Sequence, residues 1–333
     1  MSEFRQDSIS GEWVIIAPAR AKRPHQGKSS RRKRKPAPRA TCPFEDLEKT
    51  GNWPPIDQVP ANGPWRAVLL PNKYPAIRHE QRWVEEISEG PYTKFAGVGH
   101  HDLVITRDHN KNFAHISLDQ AVEVLGLIQK RYRALGADPS MCFATAFANW
   151  GESVGASIYH PHYQILTVPI VPPHIRGSLN GSHSYFQDHS RCGHCVLITY
   201  ERKQKVRVAG ENDGAIALAP YASRRFYEIK IFPKRHESSF ELSPQKSVRA
   251  VAQLLQNVLR RMEVKLNDPD YNFYIHSTPL KEKEHYAHYH WHVEIIPSLP
   301  ELGVPAGFEL GTGLYVNATA PERAAETIRG RRG

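Results

Sequence analysis

Tyr159-His160-Pro161-His162-Tyr163-Gln164-Ile165-Leu166 is the stretch around which the rest of the chain is organised. Side chains alternate between the two faces of a β-strand, so a strand here places His160, His162 and Gln164 on one face. A face with three polar groups is not expected to be a buried surface. The stretch therefore predicts a strand that presents polar side chains to a site.

A polar loop with two glycines precedes this strand and runs from Asn149 to Ser157. Glycine lets backbone amides approach an anion closely, so the loop and the strand together predict a phosphate site. A neutral imidazole can attack a phosphorus atom and hold it as a covalent phosphoramidate. A neighbouring amide such as Gln164 can hold a phosphate oxygen without adding charge. For a single histidine, a polar residue on a half-exposed strand would be the better interpretation.

The run Asn149–Gln164, together with Arg20–Pro24 and Asn72–Pro75, resembles the galactose-1-phosphate uridylyltransferase family, the transferase branch of the histidine-triad superfamily. The similarity extends from about Trp13 to about Arg329. It implies that His162 takes UMP from UDP-glucose and passes it to galactose 1-phosphate in a ping-pong reaction. The resemblance also implies a homodimer, with nucleotide or sugar-phosphate contacts from Arg20, Arg23, Asn72, Tyr74, Asn149, Gly155, Ser157, Gln164 and Glu309.

Glu309 belongs to a glycine-containing segment, Ala306–Gly313, that could form another anion-binding turn or an ordinary connection. In the family the equivalent segment reaches the sugar phosphate, commonly across the dimer interface. Its sequence here departs from the form with Lys and Gln at sugar-contacting positions, which leaves the hexose open. The base is open as well, so an ADP-glucose phosphorylase that transfers AMP to phosphate on the same fold is the second hypothesis.

Two groups of residues are candidate zinc sites. In a reducing compartment, Cys192 and Cys195 favour metal binding or redox chemistry over a structural disulfide. His236 and one histidine of the later stretch His288–His292 would complete four ligands, and matching the two histidine strands on Ile296-Pro297 selects His290. We therefore predict a closed structural zinc site of Cys192, Cys195, His236 and His290.

The other candidate zinc site begins at Cys42. The family usually carries a second cysteine three residues later, where this chain has Glu45. Zinc also accepts carboxylate oxygen, so Cys42, Glu45, His109 and His160 could form a tetrahedral set. A metal-free remnant held by hydrogen bonds is the alternative.

The stretch His288–His292 also raises a rival hypothesis, because His-x-His-x-His resembles the hydrolase form of the histidine triad. No Gly/Ser loop precedes it, so we prefer the strand with His162 as the active one. His288 and His292 are then expected to lie behind the metal ligands or at the surface.

The order of elements predicts an α+β fold with an internal duplication. Each half shows a strand, a histidine-containing turn, an amphipathic helix, a strand and a histidine strand. The helices are expected to begin at Ser117 and at Ser243-Pro244. We predict two histidine-triad-like halves, residues 1–180 with the active site and residues 181–333, whose antiparallel sheets join into one extended sheet.

The net charge of +10 is concentrated near the N-terminus. Ten Lys or Arg residues and no acid lie between Trp13 and Phe44, most densely at Arg31–Lys35. A solvated, mobile loop is the preferred interpretation of that run. A zinc-stabilised nucleic-acid-binding protein is the alternative of another class, but aromatic side chains are not interleaved with the charges as stacking would require. Nucleic acid is therefore an unlikely partner.

The composition of the chain indicates the class of protein and its compartment. The chain has 333 residues, 40% of them hydrophobic and 23% charged, as expected for a globular protein. No apolar run has the length of a membrane span, and the N-terminus lacks the apolar core of a signal peptide. The sequence predicts a cytoplasmic protein with no membrane partner.

Overall fold

A computed structural model describes residues 1–22, 34, 36–78 and 86–330. Arg23 lies outside these residues, and of the basic run Arg31–Lys35 it is Arg34 that the structure describes. Across the described ranges, no helix has both the length and the apolar character needed to cross a bilayer.

Fifteen strands are formed by the described residues. In chain order they are β1 (Glu3–Gln6), β2 (Trp13–Ile16), β3 (Asp57–Val59), β4 (Ala67–Pro71), β5 (Glu86–Glu89), β6 (Tyr92–Phe95), β7 (His100–Thr106), β8 (Phe143–Trp150), β9 (His162–Val168), β10 (Val208–Glu211), β11 (Ala215–Leu218), β12 (Ile229–Pro233), β13 (Asp270–His276), β14 (His292–Ser298) and β15 (Tyr315–Asn317). Ten of them form one sheet in the order β10-β11-β12-β14-β13-β8-β9-β7-β4-β3. Every neighbouring pair in this sheet is antiparallel.

The two halves of the chain meet in the middle of this sheet, where β8 pairs with β13 from Trp150↔Tyr271 to Phe147↔Tyr274. The predicted fold class, α+β with antiparallel strands joined into one extended sheet, is confirmed. The proposed boundary at residue 180 falls inside a helix that spans Pro173–His189.

Six α-helices accompany the strands in the part of the chain that the structure describes: α1 (Leu118–Gly136), α2 (Pro173–His189), α3 (Gly193–Gln204), α4 (Gln245–Lys265), α5 (Gly307–Thr312) and α6 (Pro321–Arg329). Ser117 and Gln120 form the capping box expected at the start of α1, in which each side chain bonds to the other's backbone amide. The apolar sides of α1 and α4 share one large core with the sheet, through residues such as Leu125 and Leu255. The two long helices therefore cover one face of the sheet.

The other face of the sheet is covered differently in each half. Phe44 and Leu47 pack on Leu103 and Ile105 of β7, which point away from the helices. In the C-terminal half, Ile198 of α3 packs on Phe232 and its neighbours in β10 to β12. The segment after Cys42 thus lies over the strands that carry the predicted active histidine.

Some elements differ from those predicted. Asn149 and Trp150 continue β8, so the loop begins at Gly151. The segment expected as a glycine turn forms the short helix α5. Helices α2 and α3 and the hairpin β10-β11 were not predicted, because α2 and α3 are only weakly amphipathic and each strand of the hairpin has only four residues. Strand β2 joins a small separate sheet with β1 and β15.

Candidate functional site

His162 begins strand β9 and lies between two neighbouring strands. It pairs with Ile105 of β7, while the next residue, Tyr163, pairs with Ala148 of β8. The side chain is buried except for 8% of its surface. His162 Nδ1 lies 3.0 Å from the carbonyl oxygen of His160, which can only accept, so Nδ1 carries the proton. Nε2 has no hydrogen-bond partner among the described residues, and its lone pair is therefore available.

The charge state of His162 follows from its surroundings. Burial is the main effect and lowers the pKa of the imidazole below its ordinary value. The neutral ring with a free lone pair is the form in which histidine acts as a nucleophile. The expectation of an unburied polar face is wrong for His160 and His162, whereas Gln164 is half-buried.

Gln164 meets a residue that sequence reasoning missed, His101 of β7. Leu103 pairs with Gln164 and His101 with Leu166, which places His101 on the same face as His162 and Gln164. His101 Nε2 lies 2.9 Å from Gln164 Oε1 and 3.2 Å from Nδ2 of Asn72. The sequence contains a signal for His101, because this histidine alternates with apolar residues at the start of a buried strand.

The loop between β8 and β9 is held in place by its glycines and by Asp270. Gly151 and Gly155 have φ of 105° and 89°, a region that favours glycine. A Cβ on Gly151 would lie 2.0 Å from the Asp270 carboxylate. That carboxylate accepts hydrogen bonds from the backbone amide and hydroxyl of Ser153, at 3.0 and 2.7 Å. Burial opposes the charge on Asp270, but these bonds lower its pKa, so the loop is anchored by an ionised group.

Asn149 and Ser157 flank this loop. Asn149 Oδ1 accepts a hydrogen bond from Asn272 Nδ2 at 2.8 Å, and Asn149 Nδ2 lies 3.5 Å from the carbonyl oxygen of Gly155. Because Ala148 pairs with Tyr163, Asn149 is beside His162 in the next register position. Ser157 lines a cavity of about 390 Å³ together with Trp150. Asn149 and Gly155 thus lie at the start of β9, whereas His162 does not line the cavity that contains Ser157.

For Arg34, the described residue of the basic run, the interpretation as part of a solvated loop is wrong. Its guanidinium lies 2.8 Å from Asp270 and 3.3 Å from Asp268, and it stacks 4.7 Å above the Trp150 ring. Arg34 therefore contacts the same carboxylate that anchors the β8-β9 loop. This contact was not predictable from charge density, because Asp268 and Asp270 lie more than 230 positions away in the sequence.

Cys42, Glu45, His109 and His160 do come together. One ligand atom from each lies within 4.8 Å of every other. His109 and His160 donate from Nε2 to the carbonyl oxygens of Ala37 and Thr106, at 2.9 and 2.8 Å. Both histidines therefore turn an unprotonated Nδ1 inward, as metal-ligating histidines do. Glu45 Oε1 and His109 Nδ1 are buried 3.0 Å apart without a hydrogen bond, which fits two ligands of a divalent metal.

Cys192, Cys195, His236 and His290 form the second group, again within 4.8 Å of one another. His236 and His290 donate from Nε2 to the carbonyl oxygens of Ala287 and Pro233, at 2.8 and 3.0 Å. The two thiols are strongly coupled, so the pKa of Cys192 is lowered while that of Cys195 is raised. Two sulfurs with two imidazoles suit a tetrahedral metal.

Arg20 and Glu309 lie together but apart from His162. Arg20 lies in the turn after β2, and Glu309 lies in α5. Both residues line a cavity of about 100 Å³ with Arg225 and Tyr315, and His162 does not line it. Tyr74 is 83% exposed. The structure therefore brings together His162, Gln164, Asn72 and the β8-β9 loop, but not Arg20 or Glu309.

The C-terminal half repeats the hydrogen bond made by His162, but it places a different residue at the position of Gln164. His292 Nδ1 lies 3.1 Å from the carbonyl oxygen of His290, as His162 does from that of His160. The position of Gln164 is taken by Glu294, which contacts Arg224 at 3.2 Å and His276 at 3.0 Å. A carboxylate there repels phosphate, which favours His162 over the rival strand. His288 and His292 are both buried, which excludes a surface position and leaves the other expectation, a place behind the metal ligands.

Similarity to known proteins extends over the whole chain. The protein-family model for the N-terminal domain of galactose-1-phosphate uridyl transferase matches residues 1–172 of this chain. ADP-glucose phosphorylase of Arabidopsis thaliana is 34% identical over 98% of this chain and 92% of its own length. Galactose-1-phosphate uridylyltransferase of Thermotoga maritima is 27% identical over 99% of this chain and 98% of its own. A crystal structure of the Arabidopsis ADP-glucose phosphorylase with bound ADP-glucose superposes with a TM-score of 0.84 and 30% identity, and all of both chains is covered.

Proposed function

Because the chain belongs to the galactose-1-phosphate uridylyltransferase family, we propose that it transfers a nucleoside monophosphate from a nucleotide sugar through Nε2 of His162. In the first step a bond forms between Nε2 and the α-phosphorus, and the bond from that phosphorus to the bridging oxygen breaks. Hexose 1-phosphate leaves with that electron pair. In the second step an acceptor phosphate oxygen attacks the phosphorus and the N–P bond breaks. The buried neutral ring with a free Nε2 is the observation that carries this proposal.

The residues around His162 have separate roles in this proposal. The His160 carbonyl holds the Nδ1 proton and stabilises positive charge on the ring while the N–P bond exists. Gln164 and Ser157 hold non-bridging phosphate oxygens, and Asn149 and Gly155 shape the pocket. Asn72 contacts the nucleoside. None of these groups adds a full charge, so neutral dipoles hold the phosphate beside the histidine.

Two donor–acceptor pairs fit this chemistry. The sequence predicts UDP-glucose with galactose 1-phosphate. The similarity to ADP-glucose phosphorylase supports ADP-glucose with inorganic phosphate, since that relative is 34% identical and the Thermotoga uridylyltransferase 27%, at nearly equal coverage of this chain. The departure of the Ala306–Gly313 segment from the hexose-contacting form points the same way.

Measuring turnover of the two donor–acceptor pairs side by side decides between them. We expect the correct pair to exceed the other in kcat/KM by about a hundredfold or more, because a site built to bond one base leaves buried polar groups unpaired with the other. The measurement is release of glucose 1-phosphate from UDP-glucose plus galactose 1-phosphate and from ADP-glucose plus phosphate. Turnover of neither pair, with both metal groups loaded, would contradict the proposed function.

We also propose that both four-residue groups hold zinc in structural roles. The group of Cys192, Cys195, His236 and His290 has two sulfur ligands and two inward Nδ1 atoms, a donor set that zinc accepts. In the other group, His160 would fix the start of β9 and so the carbonyl that holds His162. Bound zinc would stabilise the fold at both places without activating water.

A homodimer would complete the site. Arg20 and Glu309 line a cavity that His162 does not line, so they can serve the same substrate only if a second copy supplies them. Arg20 and Arg225, which both line this cavity, would then neutralise the phosphates that the surroundings of His162 hold with neutral groups.

Complementation tests the dimer proposal. His162→Ala and Arg20→Ala are each expected to lose most activity, but refolding them together should restore about a quarter of the wild-type rate. That recovery follows because half of the chains form mixed dimers, each with one site carrying both native residues. The two variants mixed without refolding are the control. Refolded mixtures no more active than either parent would contradict a shared site.

The nucleic-acid alternative gains little support. Arg34, the described residue of the basic run, is paired with Asp268 and Asp270 and is not free to contact phosphates. The relatives that cover the whole chain carry the names of nucleotide-sugar enzymes.

A further inference from the structure

The His101 ring connects the turn after β4 to the predicted phosphate-holding amide. The backbone amide of Ala76 donates to His101 Nδ1 at 3.1 Å, and His101 Nε2 lies 2.9 Å from Gln164 Oε1. The backbone amide of Asn72 donates to the His101 carbonyl oxygen at 2.8 Å. Both ends of the turn after β4 are therefore hydrogen-bonded to one residue of the sheet, His101.

The protonation of His101 follows from these contacts. A backbone amide can only donate, so Nδ1 must be the unprotonated nitrogen, and in the neutral ring Nε2 carries the hydrogen. That hydrogen can be accepted only by Gln164 Oε1, because the other neighbour, Asn72 Nδ2, is itself a donor. The orientation of Asn72 is fixed independently, since its Oδ1 accepts from the backbone amide of Tyr74 at 2.9 Å.

The consequence is that two side-chain amides have their oxygens occupied and their NH₂ groups free. Gln164 Nε2 has no hydrogen-bond partner among the described residues, and Asn72 Nδ2 faces a ring nitrogen that cannot accept. Without His101, the Gln164 carboxamide could rotate by 180° and present its oxygen to a phosphate, which would repel it. A fixed donor needs no reorganisation as charge develops during transfer.

We propose that His101 is a positioning residue that sets the Gln164 amide with its NH₂ group towards one non-bridging oxygen of the reacting phosphate. This inference rests on the proposed function and adds to it a residue that does not touch the substrate. Through Ala76, the same ring couples the nucleoside turn Asn72–Ala76 to the phosphate. The effect of His101 must therefore pass through Gln164.

A double-mutant cycle measures that dependence. We expect Gln164→Met to slow formation of the nucleotidyl-enzyme by about a hundredfold, and His101→Phe, which keeps the ring volume, by about 10- to 100-fold. In the double variant the rate should stay within about threefold of Gln164→Met, because the second change removes nothing further. KM for the nucleotide sugar should change much less than kcat.

A second readout reports the orientation of the amide directly. Sulfur in place of one or the other non-bridging α-oxygen gives two diastereomers of the nucleotide sugar, and the wild type should prefer one of them. His101→Phe should lose most of this preference, whereas His101→Gln, which keeps a donor near Nε2, should retain it. If His101→Phe melts far below the wild type, the diastereomer preference of His101→Gln is compared with that of the wild type instead.

The outcomes separate the two proposals. If the wild type forms no nucleotidyl-enzyme, the proposed function fails and this inference fails with it. If the wild type forms it but the single effects multiply in the double variant, or His101→Phe keeps the diastereomer preference, His101 does not act through Gln164. Near-equal rates of the double variant and Gln164→Met, with preference lost in His101→Phe and kept in His101→Gln, would establish the role.

Discussion

Replacing His162 with alanine is expected to reduce nucleotidyl transfer by on the order of 10⁴-fold or more, the scale of losses seen when a covalent nucleophile is removed. The reason is that no group remains to form the bond to the α-phosphorus. Exchange of labelled glucose 1-phosphate into the nucleotide sugar, measured without acceptor, isolates the first step. This exchange should fall together with overall turnover.

His292→Ala is the matched control for this experiment. His292 occupies the same position in the C-terminal half, with the same bond to a carbonyl oxygen, but it lies beside Glu294. We expect this variant to keep exchange within a few-fold of the wild type, provided that its melting temperature shows a folded protein. Exchange that survives in His162→Ala and disappears in His292→Ala would move the active strand to the other half.

Replacing Cys195 with serine is expected to remove one equivalent of zinc and to lower the melting temperature by at least about 5 °C. Cys195 Sγ lies 3.4 and 3.5 Å from Nδ1 of His236 and His290, so the change leaves three ligands without their shared metal. Those ligands join α3 to the end of β12 and the start of β14. Elemental analysis and thermal melting of the purified protein measure both effects.

Cys142→Ser is the control, because Cys142 belongs to neither four-residue group. It should leave zinc content and melting temperature near those of the wild type. The first group offers a graded comparison, since Glu45→Cys would give it the same donor set as the second and should slow loss of its metal to a chelator. Wild-type zinc content in Cys195→Ser would rule out the second group as a zinc site.

Local patterns in the sequence were sufficient for much of the fold. The apolar faces of α1 and α4, the Ser117 capping box and the histidine strands are each encoded within a few neighbouring residues. The second metal group could be assembled because the internal duplication related His290 to His160. The extended sheet followed from that same duplication.

Other features depend on contacts between residues that lie far apart in the sequence, which a local pattern cannot predict. His101 meets Gln164 because of the register between β7 and β9, and Arg34 meets Asp270 because β13 lies beside β8. Arg20 and Glu309 line one cavity although they lie more than 280 positions apart in the sequence. The burial of His160 also followed from tertiary structure, since the segment after Cys42 covers a face that alternation alone predicted to be open.

The central claim is that a nucleoside monophosphate becomes bonded to His162 during each turnover. Mass spectrometry of the wild type, incubated with UDP-glucose or ADP-glucose in the absence of acceptor, tests it most directly. We predict one added nucleoside monophosphate per chain, located at His162 in the peptide map, removed by mild acid and discharged by the acceptor. Turnover that proceeds with no enzyme-bound nucleotide, or with the nucleotide on another residue, would contradict it.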